Sequence, residues 1–181
     1  MLTLCILGFL AEEPLHAYEL RARISGLTGH VRPVSDGALY PALNRLRAAG
    51  RLTRHEEPGS AGAPRQVLTL TDDGRAELLG RLADPSTVEI TDNNAFATLL
   101  AFLHLLPDRQ DQLRVLRRRL EYIEEPASFF YDNGRAVRAD EVDRFRRGIF
   151  VRAAAARRAE RQWLREVTTD LTLEIAAARQ H

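Results

Sequence analysis

The sequence predicts a mainly α-helical protein with one small β-hairpin, its N-terminal half mixed and its C-terminal half all-helical. Three observations carry that prediction. Apolar residues recur at i, i+3, i+4 and i+7 through most of the chain. The period shortens to that of strands only between Leu52 and Thr71. The last roughly 40 residues place apolar side chains in near-heptad steps, the signature of one long helix.

The first predicted helix runs from Leu2 to Ala11, with Leu2, Ile6, Leu7 and Leu10 on one face and Leu4 and Cys5 widening it. Glu12, Glu13 and Pro14 end it, because proline has no N–H to continue the ladder. A second helix is expected from about Leu15 to Ser25, with Tyr18, Leu20, Ile24 and Leu27 as its apolar members, and Gly26 and Gly29 break the pattern. Ser35 suits the N-cap of a third helix, whose apolar stripe is Leu39, Ala42, Leu43 and Leu46 and whose end is Gly50. Pro41 falls inside this helix, where it removes one hydrogen bond and should bend the helix or move its start. Residues 52–56 and 65–71 then read as a hairpin around a Gly- and Pro-rich tip at 57–64. Thr71 caps a fourth helix that carries Asp72 and Asp73 in its first turn, where the helix dipole favours them.

Residues 85–91 read as a connector, which sets expected domains of 1–85 and 86–181. Three helices follow. One carries Phe96, Leu99, Leu100, Leu103 and Leu106; the next carries Leu113, Leu116, Leu120 and Ile123. Residues 127–138 read as a loop containing Phe129, Phe130, Tyr131, Asn133 and Gly134. The last helix carries Val142, Phe145, Ile149, Ala156, Trp163, Val167 and Leu171, more apolar face than so small a domain can cover itself. The expectation is a homodimer, with Phe145, Ile149, Trp163 and Val167 in its seam or beside an effector. Phe129, Phe130, Tyr131, Phe145, Phe150 and Trp163 either line a pocket for a small-molecule effector or form core and seam. The second reading needs less.

Charge narrows the function. Between Leu20 and His55 there are seven arginines and one acid, an excess of six positive charges in a chain whose net charge is +1, so the remainder carries five negative ones. A basic block in a near-neutral protein is the footprint of phosphate contact. No apolar run reaches the ~20 residues that span a bilayer, so no membrane partner is expected. The apolar start lacks a basic leader and reads as a buried helix rather than a signal peptide. Cys5, the only cysteine, cannot form an intrachain disulfide and suits a reducing, cytoplasmic compartment. There is no glycine-rich phosphate loop, nucleophile elbow, His-Glu-x-x-His or cysteine cluster, and His16, His30, His55 and His104 are scattered. Hence no catalytic residues, metal or cofactor are expected. Thr91, Asp92, Asn93 and Asn94 are explained by a helix cap.

Helix, helix, helix, hairpin, helix is the order of a winged helix-turn-helix. In that arrangement the third helix lies in the major groove of double-stranded DNA, anchored by its leucines. Asp36, Gly37, Tyr40, Asn44 and Arg47 then face outward. Gly37 lets the backbone approach phosphates, Tyr40 can donate to a phosphate oxygen, and Asn44 can read an adenine edge. Arg65 stands at the base of the wing. A symmetric pair would hold two such helices ~34 Å apart on an inverted-repeat operator. A winged-helix module that binds protein and no DNA is the alternative.

Leu7-Gly-Phe-Leu10, Pro14-Leu-His-Ala-Tyr-Glu-Leu20, the string from Val34 to Leu46 with Ser35, Gly37, Leu39, Tyr40, Pro41 and Leu43, Gly50, and Pro64-Arg65 through Leu70-Thr-Asp-Asp-Gly74 resemble the PadR family of transcriptional regulators. The resemblance accounts for Pro41. It implies that Tyr18, Ser35, Gly37, Tyr40 and Arg65 lie near the DNA backbone or groove; Asn44, Arg45 and Arg47, from the outward stripe and the basic block, complete the expected DNA-binding set. It departs from the family at Ala17, where glycine is usual, and at Gln66 and Leu68, which replace a basic residue and a tyrosine. By length the second half resembles the longer subgroup, whose C-terminal helices dimerise and in which some members bind a small effector. Repression by occluding a promoter is the action the family implies.

Overall fold

The computed structural model describes residues 1–27, 34–57, 65–125, 128 and 130–180, with the side chains of Glu57 and Arg65 left out of the description. His30, Arg32, the wing tip at 58–64 and Phe129 lie outside the described residues. The chain forms two compact units, Met1–Asp108 and Arg109–His181.

In the first unit, α1 (Leu2–Glu12) is the central element, with α2 (Ala17–Leu27), α3 (Asp36–Ala48), α4 (Asp72–Ala83) and α6 (Asn93–Phe102) packed on it. Its Leu4, Cys5, Ile6, Leu7 and Leu10 are all buried. Burial pushes the Cys5 thiol up to about 11, so it is a packing group with no thiolate chemistry at neutral pH. Leu20 and Ile24 of α2, Leu39, Ala42, Leu43 and Leu46 of α3, and Leu78 and Leu82 of α4 complete the core. Each fully buried leucine contributes roughly 1.5–3 kcal/mol of transfer free energy.

The caps follow from local chemistry. α3 ends in a Schellman motif: Arg51 N–H donates to the Leu46 carbonyl at 2.8 Å and Gly50 N–H to the Arg47 carbonyl at 2.9 Å. Gly50 there has φ +70°, a conformation that glycine adopts without a Cβ penalty. The Thr71 hydroxyl accepts from Gly74 N–H at 3.0 Å and donates to the Gly50 carbonyl at 2.7 Å, tying the start of α4 to the end of α3. Arg51 reinforces the joint through Nε to Glu77 at 2.7 Å. One expectation changes: Ser35 is the N-cap residue of α3, but its hydroxyl makes no capping bond. Its carbonyl accepts from Ala38 and Leu39 instead. Pro41 sits within a single continuous α3, and the helix start stays at Ser35.

Four expectations about boundaries are corrected. The hairpin β2 (Leu52–Glu57) and β3 (Arg65–Leu70) has a third strand, β1 (Leu15–His16), so the sheet order is β1-β3-β2, all antiparallel. The second helix therefore starts two residues late, and Tyr18, expected on its apolar face, is exposed. The connector at 85–91 contains α5 (Thr87–Thr91), started by a capping box in which Ser86 and Glu89 satisfy each other's backbone N–H. The compact units divide after Asp108 and not at 85. The reason is packing: Phe102 of α6 lies edge-on to Phe9 at 5.0 Å and occupies the space that a side chain at Gly8 would need. Asp92 caps α6, accepting from Ala95 N–H at 2.8 Å, and a 3-10 turn at Leu103–Leu105 ends the unit.

The second unit pairs α7 (Arg109–Glu124) with α8 (Arg144–Ala178), a helix of 35 residues against the roughly 40 expected. α7 buries Leu113, Val115, Leu116 and Ile123, and α8 buries Leu164 and Thr168. Arg157 closes the end of α7, its Nη2 donating to the carbonyls of Tyr122, Ile123 and Glu125 at 3.2, 2.8 and 2.9 Å. The expected loop between these helices contains a small hairpin, β4 (Tyr131–Asp132) and β5 (Arg135–Ala136). It turns at Asn133 and Gly134, both at positive φ, as the Asn-Gly pair favours. Val142 precedes α8 and is not part of it. No helix among the described residues is long and apolar enough to cross a membrane.

Candidate nucleic-acid interface

The buried stripe of α3 fixes which residues it turns to solvent. With Leu39, Leu43 and Leu46 inward, Ser35, Asp36, Gly37, Tyr40, Asn44, Arg45 and Arg47 are all exposed. Space around Gly37 is open, the nearest atom to a Cβ there being Ser35 Oγ at 3.9 Å. Pro41 has no N–H to donate to the Gly37 carbonyl, so α3 lacks one rung of its ladder at this turn.

Tertiary structure brings α2 and the sheet to this face. An open recess of about 380 Å³ is lined by His16, Ala17, Tyr18, Tyr40, Arg54 and Gln66. Tyr18 and Tyr40 are 57% and 44% exposed, large values for aromatic groups in a unit with so complete a core. Tyr18 is held rather than free: its ring stacks on His16 with centroids 5.6 Å apart and planes within 8°, and its hydroxyl donates to Glu19 at 3.2 Å. His16 is held in turn by Nδ1, 3.0 Å from the Gln66 carbonyl. A carbonyl can only accept, so that ring nitrogen carries the proton. Glu19 accepts from the His16 backbone N–H at 3.0 Å, and that hydrogen bond holds its carboxyl below the usual carboxylate range.

His16, Arg54 and Gln66 were not among the expected site residues. The signal that finds them is register: Arg54 pairs with Leu68 across β2 and β3, and His16 with Val67 across β1 and β3, so both stand beside Gln66. The His16–Val67 pairing is not visible while Leu15–His16 is read as helix. Arg65 opens β3 opposite Glu57, at the base of the wing as expected.

The basic block is less uniform than its sequence suggests. Arg21 pairs with Asp36 at 2.8 Å, Arg23 pairs with Glu13, and Arg51 pairs with Glu77 and Asp73. Asp36, expected to face a partner, is thus engaged within the chain. Among the described residues no carboxylate pairs with Arg45, Arg47 or Arg54; Arg47 is exposed on α3 like Tyr40 and Asn44, and Arg54 lines the recess with Tyr40. No cluster of His, Cys, Asp and Glu able to hold a metal ion occurs among the described residues.

The second set of expected residues does not form an internal core. Phe145 is 79% exposed, Ile149 43% and Trp163 39%, and Val167 is half-buried. Tyr131 is also exposed, whereas Phe130 and Phe150 are half-buried and pack on each other at 5.6 Å.

The model of the PadR-like transcriptional regulator family matches residues 6–79. Among solved structures, a PadR-like transcription factor from Bacteroides fragilis is 32% identical over 45% of this chain and 76% of its own, with a TM-score of 0.40. Bacillus subtilis PadR in complex with operator DNA is 19% identical over 93% of this chain and 98% of that one, with a TM-score of 0.46. The same protein in complex with p-coumaric acid is 20% identical over 94% and 98%, with a TM-score of 0.42. No curated protein matches the sequence. With the family model lying on the winged-helix segment and a family relative 32% identical over 76% of its length, the chain belongs to the PadR-like family of transcriptional regulators, which are not enzymes.

Proposed function

We propose that this chain is a homodimeric, sequence-specific DNA-binding repressor, acting in the cytoplasm and released by a small-molecule effector. One observation supports it above the others: α3 turns Gly37, Tyr40, Asn44, Arg45 and Arg47 outward from a fully apolar inner stripe, with Tyr18 and Arg54 brought alongside. In this reading α3 enters the major groove, Asn44 reads a base edge, and the tyrosines and arginines hold phosphates. Residues 1–85 serve as the DNA-binding part and 86–181 as the dimerising part, residues 86–108 of the latter packing within the first compact unit. Phe145, Ile149, Trp163 and Val167 form the seam, because an apolar stripe this exposed on a 35-residue helix is unsatisfied in a single copy.

The test is affinity for double-stranded DNA from upstream of the chain's own gene at 50 and 200 mM salt. A dimer neutralising six to ten phosphates should lose roughly 10³–10⁵ in affinity between the two, and should prefer that DNA over a shuffled sequence. No binding at 50 mM salt would leave a protein-interaction module as the better reading. For the effector, quenching or enhancement of Trp163 fluorescence by aromatic acids or cationic drugs reports a ligand beside α8.

A further inference from the structure

The charge count that singled out residues 20–55 conceals a denser basic segment. Between Arg144 and Arg165 there are eight arginines and one acid, Glu160. That acid is already engaged by the buried Arg119, so it neutralises nothing on the surface. Three of the eight arginines have defined partners: Arg146 with Asp143, Arg157 with the α7 carbonyls, and Arg165 with Glu124. Arg144, Arg147, Arg152, Arg158 and Arg161 pair with no carboxylate among the described residues.

Their positions on α8 matter more than their number. Arg144, Arg147, Arg158, Arg161 and Arg165 fall in alternating steps of three and four residues, with Val151 and Ala154 filling the two positions between. Such steps keep one side of a helix, so the five form a straight row about 31 Å long. The row's own positions hold no acid, and Glu124 of α7 meets its last member, Arg165. Leu164 and Thr168 define the side that faces α7. The row lies to one side of them. The apolar stripe of Phe145, Ile149 and Trp163 lies to the other, nearly opposite the row. Beyond Arg165 the same line reaches Thr172, where Arg117 of α7 is seated with its Nη2 at 3.2 Å from the hydroxyl, extending the basic surface.

We propose that this arginine row of α8 is a second contact surface for duplex DNA, independent of base sequence and separate from the winged helix. A straight row fits a straight polyanion, and a duplex carries one negative charge per about 1.7 Å of its axis. A membrane surface fits poorly, because a helix lying on lipid must turn its apolar and basic residues to the same side, and here they are nearly opposed. A single strand also fits poorly, since the row has no aromatic group on which bases could stack. Dimerisation through the apolar stripe would leave the row open.

The experiment uses the full chain and a random-sequence duplex, with the variant Arg144→Gln/Arg147→Gln/Arg158→Gln. Among the described residues none of the three pairs with a carboxylate, and circular dichroism checks that helix content is unchanged; Arg147→Gln/Arg158→Gln serves if the triple variant fails that check. The expected result is a salt dependence shallower by about 0.9 in the slope of log K against log salt for each arginine removed. An unchanged slope in the arginine variant overturns the proposal. Wild-type affinity for phosphatidylglycerol vesicles that disappears in the arginine variant, with duplex binding intact, replaces DNA by lipid. If the chain shows no preference for any natural sequence yet the slopes behave as expected, the repressor reading fails and the row stands.

Discussion

Arg119 of α7 and Glu160 of α8 form a two-pronged pair, Nε to Oε1 at 2.8 Å and Nη2 to Oε2 at 3.1 Å, with Arg119 almost wholly buried at 1% exposure. The guanidinium also lies over the Tyr122 ring at 5.4 Å. A charge buried this deeply is costly unless its geometry is satisfied, so the pair sets the register of the two helices more than it adds net stability. Glu160→Gln leaves the buried cation without its counter-charge and should destabilise by about 3 kcal/mol. Arg119→Met/Glu160→Met should recover most of that loss. Thermal melts of the three proteins check it.

Two glycines of α4 should respond in opposite directions. A Cβ at Gly74 would lie 2.0 Å from the Arg51 carbonyl oxygen, which is backbone and held by Thr71 N–H, so Gly74→Ala must break the joint between α3 and α4. At Gly80 a Cβ meets nothing within 4 Å. Gly80→Ala should therefore stabilise by about 0.5–1 kcal/mol, the helix propensity difference. Urea unfolding midpoints measured side by side decide it; a stabilising Gly74→Ala would contradict the described joint.

Acid should loosen the first unit. The hydrogen bond from His16 N–H holds the Glu19 carboxyl below its ordinary value. At Glu89 burial pushes upward, but hydrogen bonds from the Ser86 N–H and hydroxyl outweigh it and the carboxyl is again lowered. A carboxyl with a folded pKa below its unfolded value of about 4.3 contributes stability that is complete above that value and lost as pH falls through the folded one. Tm should thus be flat above about pH 5 on account of these groups and fall below about pH 4. Glu89→Gln should reduce the steepness of that fall in a Tm–pH series.

Tyr40→Ala/Asn44→Ala should lose DNA affinity without losing fold, since both side chains are exposed on α3. Each good contact to a base or phosphate accounts for roughly 1–3 kcal/mol, so a drop of at least tenfold is expected. Helix content by circular dichroism and affinity by fluorescence anisotropy are the paired measurements. Wild-type affinity would mean that another face meets DNA.

Trp163→Glu tests the seam. Trp163 is 39% exposed within one chain, so a charge there should leave the monomer folded while shifting sedimentation from dimer to monomer and weakening operator binding. An unshifted sedimentation profile would remove Trp163 from the interface.

What the sequence determined alone was local. Apolar spacing, the Gly50 and Thr71 caps and the turn-rich wing tip name most helices and the hairpin, because their causes act within four or five residues of one another. The outward set on α3 was legible for the same reason: once Leu39, Leu43 and Leu46 are inside, Tyr40, Asn44 and Arg47 must be outside. Contacts across long stretches of chain were not legible. Strand β1 exists because Leu15 and His16 meet residues 67 and 68, more than fifty positions away, and two residues carry no strand period. Helix α6 joins the first unit because the Phe102 ring fills the space left by Gly8, a steric fit between residues ninety-four positions apart. Which arginines are engaged and which stay available was settled in the same way, since a charge excess counts arginines but only the folded chain decides where carboxylates can reach them.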